Sequence, residues 1–309
     1  MWFVYALITT CAWGAADLFY KKGADETDKY SHLKTSMMVG FVMGLHAVFT
    51  LITTGISYNP MNLLAYLPVS LMYILSMTIG YFGLRYLALS ISSPIQNSSG
   101  ALTCILCLIF LGKTLDLLSS IGVVLICAGV LALDLIERAS DNRIVLAEDK
   151  KYSRSVTAIL MPIAYCVVDA LGTFFDAYYL DDFSATPLIG VTEETLENVA
   201  NMSYEFTFLI TAILIFIFLK FIRKQKIGMK LQGSRGLAAV CETAGQATYV
   251  FAMSGNSAVA APMIASYCIV SLILSRIFLK ETLTKKQWIV ISAVIIGIAL
   301  MGISEGLSE

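Results

Sequence analysis

The sequence predicts an all-α polytopic membrane protein in which ten transmembrane helices form two inverted five-helix repeats. Three observations lead to this prediction: an apolar composition, ten apolar segments of spanning length, and an internal repeat. Of the 309 residues, 58% are hydrophobic and only 14% are charged, and the mean hydropathy is +0.77. Soluble domains of this size are far less apolar. We therefore expect most of the molecular surface to face lipid.

Apolar runs bounded by charged residues, proline or glycine define ten candidate spans. A helix needs about 20 mostly apolar residues to cross a bilayer, so ten such helices leave no room for a separate soluble domain. The spans are residues 2–20, 35–56, 66–89, 95–111, 117–136, 155–179, 204–222, 236–254, 258–279 and 287–303. Thr192, Glu193 and Glu194 have the residue types of a helix start. The seventh helix is therefore expected to begin outside the membrane.

The two halves of the chain repeat one another. Residues 109–115 read IFLGKTL and residues 277–283 read IFLKETL, which are identical at five of seven positions with an offset of 168. Earlier in the halves the offset is 152, and it places Asp17 on Asp169. The longer loop before the seventh helix accounts for the change of offset.

This repeat divides the chain into two homologous halves of five helices each. Because five is an odd number, the second half must enter the membrane in the opposite orientation. We place the first repeat at residues 1–139, a cytoplasmic linker at 140–154 and the second repeat at 155–309. The two repeats are expected to form one integrated membrane domain.

The charged residues predict the orientation of the chain. Nineteen of the 21 lysines and arginines fall around the connections after the first, fifth, seventh and ninth spans, which we call the basic side. Lys113 is the one base in the connections of the opposite, acidic side, and Arg85 lies within the third span. The long connection of the acidic side carries Asp181, Asp182, Glu193, Glu194 and Glu197. Since cytoplasmic loops carry the excess of basic residues, we expect a multi-pass plasma-membrane protein with both termini outside.

Three stretches resemble the drug/metabolite transporter superfamily, in particular its ten-helix EamA type. They are the W-G-x-x-D of the first helix, YFGLRYLALSISSPIQNSS at 81–99, and GNSAVAAPMIASYCIVSLILSRIFLKETL at 255–283. The resemblance implies ten helices in two inverted repeats around a central substrate cavity. It also implies transport of a small molecule, since the superfamily carries amino acids, nucleotide precursors, sugars, quaternary amines and drugs. Many of its members have cytoplasmic termini, whereas the charges of this chain indicate the opposite.

Acidic side chains inside the spans indicate where the site lies. Asp17, Asp169 and Glu242 each cost a few kcal/mol within a bilayer unless they face a cavity or a partner. Each belongs to a polar and aromatic stripe at helical spacing, and the third span offers Thr78 and Tyr81 in a similar stripe. The predicted substrate-binding residues are Trp13, Asp17, Tyr81, Tyr165, Asp169, Glu242, Gln246, Tyr249 and Tyr267.

These residue types favour a positively charged solute. Carboxylates without basic partners can balance a cation or exchange a proton, and aromatic faces attract organic cations. We expect a secondary transporter that moves a small amine-containing or cationic metabolite by alternating access, with proton coupling compatible with this function. The alternatives are an exporter of amino acids, other metabolites or drugs, in which Arg85 would bind a carboxylate, and a carrier of divalent cations such as Mg²⁺.

Several polar residues have simpler interpretations. Asp17 could pair with Lys21 four residues later, and Asp176 is expected at the membrane interface. His46 is expected to make a helix contact rather than to relay protons. Gly40 and its partner four residues on form a G-x-x-x-G, which is typical of close helix packing.

The sequence also argues against other classes of function. It contains no G-x-x-x-x-G-K-[ST], H-E-x-x-H or G-x-S-x-G motif, so an enzyme is not expected. All seven cysteines lie in apolar segments, where thiols act as small apolar groups. The C-x-x-C of Cys104 and Cys107 has neither His nor further thiols nearby. We expect no disulfide, metal, cofactor or nucleic-acid partner.

Overall fold

A computed structural model describes residues 1–25, 28–86, 97–140, 156–225, 231–279 and 283–308. Within these ranges the chain forms ten α-helices of 12 residues or more and no strand. They are α1 (Trp2–Gly23), α2 (Ser31–Thr54), α3 (Leu67–Tyr86), α4 (Ser99–Phe110), α5 (Leu117–Ser140), α6 (Val156–Asp181), α7 (Leu196–Ile217), α8 (Gln232–Ala265), α9 (Tyr267–Leu279) and α10 (Lys285–Ser308). The predicted all-helical fold is confirmed.

The outer faces of the helices are apolar, as a lipid environment requires. Six helical segments of the described residues are long and apolar enough to cross a membrane: Trp2–Gly23, Ser31–Thr54, Ile163–Asp181, Leu196–Ile222, Gln232–Phe278 and Lys285–Leu307. Three shorter apolar helices accompany them. Large apolar side chains on the outside, such as Leu45 and Leu135, are about two-thirds exposed or more. The protein is a polytopic membrane protein.

The segment 232–279 corresponds to the predicted eighth and ninth spans, but its helices are interrupted at different residues from those predicted. The helical assignment is continuous from Gln232 to Ala265, and only Asn256 leaves helical geometry, with φ −160° and ψ 78°. A second break occurs at Ser266, within the predicted ninth span. It follows Pro262, whose ring removes one backbone donor from the helix.

Contacts along α1 show that the chain reverses direction at Asn256. From the start to the end of α1, the residues that contact it from before Asn256 have decreasing residue numbers. The residues that contact it from after Asn256 have increasing residue numbers. In the order of α1 the contacts are Trp2 with Gly255, Thr9 with Gly245 and Gly23 with Arg235 for the first stretch, and Thr10 with Met263 and Asp17 with Ser271 for the second. Two antiparallel segments therefore exist, as predicted, with a single residue as their turn.

The helices pair in a symmetric pattern. α1 packs along α8 and α6 packs along α3, while α2 packs on α7 and α5 packs on α10. Exchange of the two predicted halves converts the α1–α8 pair into the α6–α3 pair, and it leaves the α2–α7 and α5–α10 pairs unchanged. Close approach of α2 and α7 needs Gly40, where an added Cβ would lie 2.3 Å from the Phe208 carbonyl oxygen. The predicted G-x-x-x-G contact is present.

On the acidic side, polar contacts join the ends of several helices. Asp116, just before α5, accepts a hydrogen bond from the Ser304 hydroxyl of α10 at 2.7 Å. Lys113, just after α4, forms an ion pair with Asp181 at the end of α6. These contacts bring the ends of α4, α6 and α10 and the start of α5 to one side of the molecule.

On the basic side, a buried arginine joins three helix ends. The Arg235 side chain, which is 2% exposed, donates hydrogen bonds to the Gly23 carbonyl and to the Ser31 hydroxyl, both at 3.1 Å. Lys34 pairs with Asp28 at 2.6 Å in the same region. Arg235 therefore ties the end of α1 to the starts of α2 and α8.

Candidate functional site

A central cavity lies among helices α1, α3, α4, α6, α7, α8 and α9. The empty space inside it, counted together with its opening to solvent, is about 1050 Å³. Seven of the nine predicted substrate-binding residues line it: Trp13, Asp17, Tyr165, Asp169, Glu242, Tyr249 and Tyr267. None of the described lining residues is Lys, Arg or His.

The remaining two predicted residues are not among the described residues that line the cavity. Gln246 is 2% exposed and is packed within α8 rather than lining the cavity. Tyr81 falls within α3, but its side chain is outside the part of the chain that the structure describes, as is that of Arg85. Thr78 of the same predicted stripe is not a lining residue, because α3 presents Tyr73, Met77 and Gly80 to the cavity instead.

Asp17 projects from α1 towards α9. Its Oδ2 accepts a hydrogen bond from the Ser271 hydroxyl at 2.5 Å. Lys21 also acts on this carboxyl electrostatically. The two interpretations of Asp17 therefore do not exclude one another, since the side chain lines the cavity while a lysine remains within electrostatic reach.

Asp169 occupies the opposite wall, on α6. Its Oδ1 accepts a hydrogen bond from the Ser76 hydroxyl of α3 at 3.1 Å. Ser99, next to the start of α4, and Tyr165 on its own helix also hydrogen-bond to it. Hydroxyl groups rather than cations thus satisfy this carboxyl, and its half-buried surface faces the cavity.

Glu242 lies on α8 beside the aromatic wall of the cavity. Its Oε2 accepts a hydrogen bond from the Tyr20 hydroxyl at 3.3 Å. Its backbone carbonyl accepts one from the Trp13 indole N–H, also at 3.3 Å. The Trp13 ring stacks on Tyr249 with centroids 5.3 Å apart, and meets Tyr267 edge-on at 6.2 Å. A carboxyl and three aromatic rings therefore share one wall.

A layer of buried hydroxyl groups lines the end of the cavity nearer the acidic side. The Tyr73 hydroxyl lies 2.6 Å from the Tyr249 hydroxyl and 2.8 Å from Thr173 Oγ1. Tyr204 packs edge-on against Tyr73, with centroids 5.5 Å apart. We call Tyr73, Thr173, Tyr204 and Tyr249 the tyrosine layer. All four are buried. Sequence analysis missed Tyr73 and Tyr204, although aromatic hydroxyls inside apolar spans were a visible signal.

Asp176 corrects one expectation. It is not an exposed residue at the end of its helix: it is 1% exposed, and its Oδ1 accepts a hydrogen bond from the Tyr66 hydroxyl. Its nearness to the end of α6 in the sequence suggested exposure. Tyr66, which precedes α3 and is fully buried, covers it instead.

A second buried acid, Glu205, was missed by sequence analysis. It is 0% exposed, and its carboxylate oxygens lie 2.8 and 2.9 Å from Nδ1 of His46. This pair joins α7 to α2, in agreement with the expected helix-contact role of His46. The acid was overlooked because the predicted seventh span began at residue 204, whereas α7 begins at Leu196 and places Glu205 in its interior.

Within the described residues, no group of three or more His, Cys, Asp or Glu side chains is arranged to hold a metal ion. The cysteines in this part of the chain are all free thiols.

Comparisons with known proteins agree with the helical architecture. A model of the EamA-like transporter family matches residues 1–133 and 194–303. Among solved structures, one titled only "Crystal structure of protein" superposes with a TM-score of 0.69 at 13% sequence identity, and covers 99% of this chain and 98% of that chain. At this identity the likeness shows the fold alone. A comparison with curated proteins finds no match.

Proposed function

The chain belongs to the EamA-like transporter family, and from this premise we propose that it carries a small organic cation across the plasma membrane. The family makes the chain a membrane transporter of small molecules, and the cavity supports the rest of the proposal. The observation that carries it is the combination of three carboxyls with aromatic rings and no basic side chain among the described lining residues. An amine or a quaternary ammonium ion fits this combination.

The chemistry of the cavity favours a cation for two reasons. Asp17, Asp169 and Glu242 are held by hydroxyl groups of Ser271, Ser76 and Tyr20. Hydroxyl groups offer hydrogen bonds but no balancing charge. Lys21 acts on Asp17, so a cation or protons must balance Asp169 and Glu242. The stacked rings of Trp13 and Tyr249 and the nearby Tyr267 offer π faces, which attract ammonium groups most strongly when water is excluded.

Alternating access between the two halves provides the mechanism that we propose. The symmetric pairing of α1 with α8 and of α3 with α6 supports two inverted repeats, 1–139 and 155–309, that rock about the cavity. With the basic side in the cytoplasm and both termini outside, the tyrosine layer lies at the end of the cavity nearer the exterior. Opening that end would expose the same acids to the other side of the membrane.

The two alternatives fit the described cavity less well. An amino acid would need a cationic partner for its carboxylate, whereas the described lining contains carboxyls and no base. Mg²⁺ prefers six oxygen ligands in octahedral geometry and retains several waters. Among the described residues, the cavity acids do not form a group of three or more that could hold such an ion.

Transport and binding assays with chosen probes test the proposal. Choline and ethanolamine represent quaternary and primary amines, alanine represents zwitterions, and MgCl₂ represents divalent cations. We expect the two amines to raise the Tm of the purified protein, since a ligand that binds the native state stabilises it by mass action. We expect choline to enter proteoliposomes that contain the protein.

Glu242→Gln and Asp169→Asn should each reduce choline uptake at least about tenfold, because truncating a buried charge partner costs about 2–5 kcal/mol. Asp116→Asn is the matched control, since Asp116 is an acid outside the cavity, and its uptake should equal that of the wild type. Stabilisation by alanine or Mg²⁺ but not by amines would overturn the proposal. So would full uptake by both cavity variants.

A further inference from the structure

We infer that Asp176 is a proton-binding site on the acidic side of the cavity, and that its ionisation accompanies the opening of that side. The inference rests on the proposed transport function, because coupling has meaning only in a transporter. It concerns a residue that does not line the cavity and that the proposed substrate does not touch. The ligand of this site is the proton itself.

The surroundings of Asp176 are dry and offer it no charge. The side chain is 1% exposed and Tyr66 is fully buried. The Tyr66 hydroxyl donates to Oδ1 and the Tyr249 hydroxyl also acts on the carboxyl, while Oδ2 is buried without a close hydrogen bond to a described residue. A carboxylate removed from water without a cationic partner costs several kcal/mol. A protonated carboxyl avoids that cost, so Asp176 holds a proton in this conformation.

The groups that face Asp176 from each neighbouring element are neutral hydroxyls. Tyr179, one turn later on α6, packs its ring against Tyr66 with centroids 5.6 Å apart. Lys113 on the acidic side is paired with Asp181. The titratable groups near Asp176 are Tyr66 before α3, Tyr73 on α3, Tyr249 on α8 and Tyr179 on its own helix.

Asp176 and the cavity acid Asp169 lie on one face of α6, on either side of the tyrosine layer. The spacing Asp169, Thr173, Asp176 follows the helical period, and the two carboxyls are separated by about 10 Å along the axis. Thr173 lies between them, where its hydroxyl donates to the Asp169 carbonyl at 3.0 Å and contacts the Tyr73 hydroxyl. The layer therefore shields Asp176 from the cavity.

This arrangement couples the closure of the acidic side to a proton. Opening that side must separate Tyr73 from Tyr249 and Thr173, and it would admit water to Asp176. Water stabilises the carboxylate, so the carboxyl O–H bond can break and release the proton to the acidic side. Closure then requires a proton to return. A ligand that prefers one of two conformations shifts the population towards it, so a higher proton concentration on the acidic side favours the closed state.

Infrared spectroscopy of the purified protein tests the site without any substrate. A protonated carboxyl has a C=O stretching band that is distinct from the carboxylate bands. We expect Asp176→Asn to remove one protonated-carboxyl band at neutral pH, and Tyr66→Phe to shift that band because its hydrogen bond is lost. An unchanged spectrum in this region for both variants would overturn the inference. Because Tyr66→Phe keeps the Asp176 carboxyl, the shift of the band in this variant tests the inference even if Asp176→Asn does not fold.

Proteoliposomes with choline as the probe test the coupling. We expect Asp176→Asn to retain the choline-dependent rise in Tm, because the cavity is intact, but to lose choline accumulation driven by a pH gradient. Asp116→Asn, which changes an acid on the same side outside the cavity, should accumulate choline as the wild type does. Accumulation by Asp176→Asn equal to that of the wild type would overturn the inference. If the wild type carries no choline, the proposed substrate class fails, while the infrared result still decides on Asp176.

Discussion

The two helix pairs on either side of the cavity, α1–α8 and α3–α6, are joined in different ways. Between α1 and α8 the contact is close to the backbone: a Cβ added at Gly245 would lie 2.3 Å from Trp13 Cδ1. Between α3 and α6 the contact is made by side-chain hydrogen bonds, from Tyr73 to Thr173 and from Ser76 to Asp169. Hydrogen bonds such as Tyr20 to Glu242 also cross the first interface, but its glycine contact is tighter than that of the second, where a Cβ added at Gly172 would lie 3.1 Å from Met72 Cβ.

The repeat explains why the two interfaces cannot be equivalent. The offset of 152 places Cys166 opposite Gly14, and the offset of 168 places Met77 opposite Gly245. Gly245 of the α1–α8 interface thus corresponds to a larger residue on α3, while Gly14 packs against Val270 of α9. Close packing resists separation in all directions, whereas hydrogen bonds can exchange partners with water. We therefore expect α3–α6 to be the interface that opens.

The largest expected effect comes from filling the close contact between α1 and α8. Gly245→Ala should lower the free energy of unfolding by about 1–3 kcal/mol, because overpacking forces neighbouring groups to shift. The matched control is Gly236→Ala on the same helix, where an added Cβ meets no heavy atom within 4 Å. Thermal unfolding in detergent measures both. Equal Tm values for the two variants would show that this interface is not closely packed in the working protein.

A smaller effect is expected from loosening the α3–α6 interface. Tyr73→Phe removes the hydroxyl that bonds Thr173 and Tyr249, and each such bond contributes about 0.5–1.5 kcal/mol. We expect faster hydrogen exchange of the α6 amides near Thr173, with a modest fall in Tm. Tyr178→Phe, which changes an exposed ring on α6, is the control. Unchanged protection around Thr173 would contradict the expectation that this interface opens.

The smallest effect is expected outside both interfaces, at Asp116. Hydrogen bonds from Ser119 and then from Ser304 lower the pKa of Asp116 to about 2. A lowered pKa means that the folded protein favours the ionised acid. Its contribution to stability is therefore present above the ordinary pKa of about 4 and is lost as the pH falls towards 2.

Asp116→Asn should lower Tm by about 1–2 °C at neutral pH, and the difference from the wild type should shrink as the pH approaches 2. Thermal unfolding of both proteins across this pH range provides the measurement. A Tm difference that does not change with pH would show that Asp116 acts through its shape rather than its charge.

Much of the candidate site follows from local patterns. Asp17, Asp169 and Glu242 are acids within apolar spans, and helical periodicity places aromatic residues on their faces. The structure brings all three to one cavity. Asp176 and Glu205 obey the same pattern, but one lies close to a predicted span end and the other at a predicted start. The ends of the spans were the least accurate part of the prediction. Whether Asp176 and Glu205 are recognised as acids inside a span depends on where those ends are placed.

Local information was also insufficient for the choice of helix face on α3. The predicted stripe contained Thr78 and Tyr81, whereas Tyr73 and Met77 are among the described α3 residues that line the cavity. Rotation of a helix about its axis is decided by the neighbours it packs against. For α3 the neighbour is α6, whose Thr173 and Asp176 bind Tyr73 and Tyr66 from about 100 residues away in the sequence.

The sequence by itself determined the membrane class, the helices and the internal repeat, because hydrophobicity and helical period are properties of neighbouring residues. The tertiary structure alone decided which acid faces the cavity and which is sealed from water. Asp169 and Asp176 are the same residue type, two turns apart on one helix. Burial in a dry interior or exposure to a cavity depends on side chains from distant helices, and Tyr66 and the tyrosine layer supply that difference here.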